Sequence, residues 1–144
     1  MARATGTPGP ETVVLDAHPL AVFINGEAGD SVVRRLLSRA AASQVRLLMT
    51  VVNAAEVMLV QERRGGAEAS HGTLELIQDL PITLVNVDLE LAARAAYFKT
   101  RGGISLAGCF AAALAHREGA QLLTGDREFE RVADTIEVRW LKSP

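Results

Sequence analysis

Apolar residues fall into two alternating patterns along this chain, short β-branched runs and longer stretches with helical spacing. Residues 12–15 (Thr-Val-Val-Leu) read as a strand, followed by a short helix over 17–25 that ends near Gly26. Asp30 or Ser31 opens a second helix, in which Val32, Val33, Leu36, Leu37 and Ala40 recur at helical spacing. A strand over 46–50 and a helix over 53–61 come next. Gly65 and Gly66 break that pattern, which resumes over 67–79, so a helical hairpin is expected. Pro81 introduces a strand at 82–85, and Asp88 is placed to cap a helix over 89–100 that Gly102 and Gly103 end. Ser105 is placed to cap the next, running to His116. A strand at 121–123, a short helix after Asp126 and a last strand at 136–140 complete the pattern.

Strands separated by helices are βαβ units, which demand a mostly parallel sheet covered by helices on both faces. The expected fold class is therefore α/β, a single domain over 12–141 with a central twisted sheet of four to five strands, preceded by a flexible segment at 1–11. No internal repeat or domain-splitting linker interrupts it.

Composition narrows the function classes. A chain of 144 residues buries roughly 70% of its unfolded surface, enough for a core without staples. With 49% hydrophobic residues and only 4% aromatic, that core must be built from Ala, Leu, Val and Ile. The formal charge of −2 excludes a broad basic surface. Arg34, Arg35 and Arg39, and separately Arg63 and Arg64, form local positive clusters open to nucleic acid, although arginines at this spacing read first as a solvated helix face. The single cysteine, Cys109, excludes an internal disulfide and fits a reducing cytoplasm. Residues 1–12 lack the apolar centre of a signal peptide. The most apolar stretch, 47–60, is interrupted by Thr50, Asn53 and Glu56 and falls short of the ~20 residues that span a bilayer. A soluble cytoplasmic protein with no membrane association is expected.

Three acids carry the candidate chemistry. Asp16 and Asp126 directly follow apolar strand-like runs, and Glu56 lies one turn or so beyond another. In a parallel sheet the C-terminal strand ends share one side, where the three carboxylates can converge on a divalent metal. Hard oxygen ligands hold Mg²⁺ or Mn²⁺ while leaving positions for water and a phosphodiester. Each acid also has a plainer reading: Asp16 and Asp126 as helix N-caps, Glu56 as a carboxylate in an apolar run, which is unusual without a partner. His18, His71 and His116 make no convincing site, and Tyr97 and Trp140 are too isolated to form a base-stacking platform.

The segments Val13-Val14-Leu15-Asp16-Ala17, Thr50-Val51-Val52-Asn53-Ala54-Ala55-Glu56-Val57, Ile104-Ser105-Leu106-Ala107-Gly108-Cys109 with the helix beyond it, and Leu122-Leu123-Thr124-Gly125-Asp126-Arg127-Glu128-Phe129 occur in an order that resembles the PIN-domain ribonucleases. The resemblance is nearest to the toxins of VapBC-type toxin–antitoxin pairs and covers almost the whole of 12–141. It implies a PIN-like fold, cleavage of RNA dependent on Mg²⁺ or Mn²⁺, homodimerisation, and neutralisation by a cognate antitoxin, with the segment around Gly65-Gly66 the expected antitoxin contact. By position, Asp16, Glu56 and Asp126 match the family's catalytic, metal-coordinating acids, and Thr50, Asn53 and Thr124 match supporting polar residues. A further family acid falls where this chain has Gly108, a residue with no ligand that costs a helix roughly 1 kcal/mol relative to alanine.

Gly108 keeps two readings open, an impaired nuclease and a non-catalytic module that binds RNA or an antitoxin. Asp88 and Glu118 are poor substitutes, the first as a helix cap and the second nearly three turns from Gly108. Other small α/β enzymes fit worse. A phosphoacceptor receiver domain needs paired acids after the first strand, where Asp16 is followed by Ala17; a haloacid-dehalogenase-like phosphatase needs a second Asp where His18 stands.

Overall fold

The computed structural model describes residues 11–141; residues 1–10 and 142–144 lie outside the described residues, and with them nearly all of the expected N-terminal flexible segment. The elements run β1 (Glu11–Leu15), α1 (Ala17–Asn25), α2 (Asp30–Ala41), β2 (Val45–Thr50), α3 (Val51–Asp79), β3 (Thr83–Val85), α4 (Leu89–Thr100), α5 (Leu106–Glu118), β4 (Gln121–Thr124), a 3-10 helix (Arg127–Val132) and β5 (Val138–Trp140). Glu11 therefore belongs to a strand, and β5 begins two residues later than its apolar pattern predicts.

The five strands form one sheet in the order β3-β2-β1-β4-β5, and every pairing is parallel. Alternate residues of a strand face opposite sides. Val14, Leu48 and Leu122 accordingly enter a core with Leu91, Phe98, Ala112 and Leu114 of α4 and α5. Val13, Leu15, Leu47, Met49 and Leu123 enter a second core with Leu20, Leu36 and Val57 of α1 to α3. Both faces are covered, which is why the central strands read as continuous apolar runs rather than alternating ones.

The local signals mostly sit where the sequence puts them. Asp88 and Ser105 accept hydrogen bonds from the backbone of Leu91 and Gly108, capping α4 and α5, and Gly26 and Gly119 end α1 and α5 in the left-handed conformation. The hairpin expected at Gly65-Gly66 takes another form. No loop intervenes, and within α3 only Gly66 leaves helical geometry (φ 78, ψ −170), a backbone region open essentially to glycine alone. Among the described residues no helix is long and apolar enough to cross a membrane.

Candidate functional site

Reversal of strand order places the sheet's switch point between β1 and β4, and ligands of open parallel sheets bind outside the strand C-termini at such a point. Asp16 leaves the end of β1 there. It occupies the N-cap position of α1 but makes no side-chain capping bond. Instead its Oδ2 accepts a 2.8 Å hydrogen bond from Thr124 Oγ1, at the end of the neighbouring strand β4. Thr124 Oγ1 also accepts from the Asp126 backbone N–H at 3.0 Å, so one buried hydroxyl aligns two acid-bearing segments. Asp126 caps the 3-10 helix through a 3.0 Å bond from the Glu128 N–H, and it still faces the cleft.

Asp16, Glu56 and Asp126 line one cleft of about 240 Å³. Asp16 is only 5% exposed. Burial pushes its carboxyl up to about 7; hydrogen bonds from Thr124 and the Ala17 backbone oppose this, and the charges of Glu56 and Asp126 add to it. Glu56 is also raised, first by burial, then by Glu128 and Asp126. Asn25 also lines the cleft, and its amide exchanges two 3.1 Å hydrogen bonds with that of Gln61, joining α1 to α3. Arg64 lines the same cleft beside Glu27 at 4.0 Å; of the expected arginine clusters, Arg64 is the member that lines it. His18 is exposed at the mouth, against Gly125, where an added Cβ would lie 2.5 Å from the imidazole.

Thr50 and Asn53 are placed differently from Thr124. Thr50 Oγ1 donates to Asn53 Oδ1 and accepts from the Asn53 N–H at 3.0 Å, capping α3, while Asn53 Nδ2 donates to the Ala107 carbonyl of α5 at 3.0 Å. Their polar atoms fasten α3 to α5, and of the three supporting residues Thr124 alone bonds to an acid of the cleft.

Gly108 is buried on α5. A Cβ there would meet Glu128 Oε1 at 2.7 Å, Ile104 Cγ2 at 2.9 Å and Phe129 Cζ at 3.0 Å. The glycine thus has a packing reason, since the 3-10 helix lies directly over it. Glu128 reaches this spot from the 3-10 helix. Asp88 and Glu118 stay apart, Asp88 as a cap and Glu118 beside Arg46 and Arg117.

The donor set is right in kind for a hard divalent cation, consisting of carboxylates that feel one another's charge. Among the described residues, however, no three His, Cys, Asp or Glu groups stand close enough together to hold an ion as placed.

A parallel five-stranded α/β domain with acids at its switch point is an architecture shared by several hydrolase classes. A PIN-domain family model matches residues 13–135, and the chain belongs to the PIN-domain family. Solved structures agree on the fold. VapBC2 from Rickettsia felis, bound to a DNA fragment from its promoter, matches with TM-score 0.70 and 14% identity over 91% of this chain and 99% of that one. DNA-bound VapBC from Salmonella typhimurium gives 0.69 and 16% over 92% and 99%. VapC20 from Mycobacterium tuberculosis, a sarcin–ricin loop cleaving toxin, gives 0.69 and 18% over 88% and 98%. No curated protein matched by sequence.

Proposed function

We propose that this chain is a VapC-like endoribonuclease toxin that hydrolyses RNA phosphodiesters with Mg²⁺ or Mn²⁺, acts in the cytoplasm as a homodimer, and is held inactive by a cognate antitoxin. The observation that carries the reading is the convergence of Asp16, Glu56 and Asp126 on one cleft at the sheet's switch point. Solved structures of the same fold include a sarcin–ricin loop cleaving toxin, DNA-bound VapBC and a toxin–antitoxin complex.

When bound, the metal supplies Lewis-acid activation of water and neutralises charge at the phosphodiester. Asp16, Glu56 and Asp126 would hold it. Thr124 fixes the Asp16 carboxylate in orientation, as groups behind a ligand commonly do. Arg64, at the same cleft, offers a donor to an RNA phosphate. His18, exposed at the mouth, is a further donor to the RNA backbone.

Gly108 favours a second reading, in which the fold binds RNA or antitoxin without cutting. Incubation of labelled RNA with the purified chain decides between them. Cleavage in Mn²⁺ that chelator abolishes is expected; binding with intact RNA under both conditions would establish the non-catalytic reading.

A further inference from the structure

We propose that the cleft is a groove for one RNA strand with a second binding end, where Arg64 holds a phosphate beyond the scissile one and Glu27 is the resting partner that this phosphate displaces. The inference rests on the nuclease reading above and concerns how the strand is held. Two helices form the walls. Ala17, Ala21 and Asn25 recur every four residues on α1, and Glu56, Val60 and Arg64 do so on α3, so each wall is a single helical stripe. Both helices leave the C-terminal ends of paired parallel strands, and their cross-links advance in step, Asn25 with Gln61 and then Glu27 with Arg64. From residue 56 to residue 64 a helix rises about 12 Å, which sets Arg64 well along the wall from the acids.

The two ends differ in charge. Asp16, Glu56 and Asp126 stand at one, and Ala21 and Val60 make the middle apolar. Arg64, just before the break in α3 at Gly66, is the one permanent cation among the described residues that line the groove. Its pair with Glu27 spans 4.0 Å between two half-exposed side chains. An ion pair that long and that wet contributes little to the fold, and the Asn25 and Gln61 amides already join the two helices. No hydrogen bond forms at that distance, whereas a phosphate offers the guanidinium two parallel acceptors, so RNA displaces Glu27 readily. The apolar middle receives the sugar and base between the two phosphates, and a cleft of about 240 Å³ admits one strand but no duplex.

The test measures binding of a fluorescent single-stranded RNA oligonucleotide in chelator, by anisotropy over a salt series, and its cleavage in Mn²⁺, for the parent chain, Arg64→Ala, Arg64→Lys and Glu27→Gln. Loss of one charged phosphate contact should weaken binding by Arg64→Ala about tenfold and flatten the slope of log affinity against log salt by about 0.7. Arg64→Lys keeps the charge and should restore the slope. Glu27→Gln removes the competitor and should tighten binding about threefold, the strength of an exposed ion pair. A neutral methylphosphonate moved along the oligonucleotide should cost the parent affinity, and Arg64→Ala none, at one linkage other than the one cut. If Arg64→Ala and Glu27→Gln shift binding in the same direction, or both keep the parent's affinity and slope, or the sensitive linkage is the one cut, the proposal is overturned, while Mn²⁺-dependent cleavage by the parent still upholds the nuclease reading. Opposite shifts with intact RNA in Mn²⁺ uphold the groove and overturn that reading. A parent that neither binds nor cuts RNA overturns both.

Discussion

Thr124 and Asp16 are 108 residues apart in the chain and joined by a 2.8 Å hydrogen bond between paired strands. The same threonine oxygen receives the Asp126 N–H, so its loss disturbs two acids at once.

Thr124→Val keeps the shape and removes the hydroxyl. The expected result is Mn²⁺ affinity and RNA cleavage lowered about 10- to 100-fold, with a stability loss of about 1–3 kcal/mol from the unpaired groups left behind. Calorimetric titration and urea unfolding measure the two effects separately.

The Asp16 carboxyl, lifted from 3.8 to about 7, makes stability depend on pH with a definite sign. Its folded form holds a proton more tightly than its unfolded form. The stabilising contribution is thus fully present below about pH 4, falls as pH rises, and is gone above about pH 7, a change on the order of 4 kcal/mol in chelator. Asp16→Asn should flatten this profile and raise the melting temperature at pH 8. Mn²⁺ binding by the parent near pH 7 should release a proton and weaken as the pH is lowered.

Asn53→Ala removes the bond to the Ala107 carbonyl and leaves Thr50 without its side-chain partner. A loss of about 2–4 kcal/mol is expected in denaturant unfolding, as for a buried network with one member deleted. Where the variant remains folded, its Mn²⁺ affinity should stay close to the parent's, because the Asn53 side chain bonds to Thr50 and Ala107 and to none of the three acids.

Two glycines of α3 should respond in opposite directions. Gly66→Ala imposes a Cβ on φ 78, ψ −170 and is expected to cost about 1–3 kcal/mol. Gly72 has helical neighbours on both sides and nothing within 4 Å of an added Cβ, so Gly72→Ala should stabilise by about 0.5–1 kcal/mol. Paired thermal melts read both.

The sequence made the layered α/β fold legible because its strands are apolar runs bounded by capping residues, and Asp16 and Asp126 follow such runs directly. Glu56 stood out as an acid among apolar neighbours. The different roles of Thr50, Asn53 and Thr124 were not legible, since all three are short polar residues near strand ends and only tertiary contact separates a hydroxyl that meets Asp16 from one that meets Asn53. Glu128 was hidden for a related reason. Its meeting with Gly108 depends on a 3-10 turn laying Phe129 and Glu128 over α5, a placement that no periodicity in the chain encodes. The strand order was likewise set by packing rather than by sequence order.

β1 is the first strand to be synthesised and the middle strand of the sheet, and its partner β4 is the fourth. Until residues 121–126 have joined it, Asp16 lacks the Thr124 hydroxyl and Asp126 is absent altogether. Contacts of such long range form late and slowly. A nascent or prematurely terminated chain therefore carries no assembled acid cluster, and a ribosome making this protein meets the finished cleft only after most of the chain has left it.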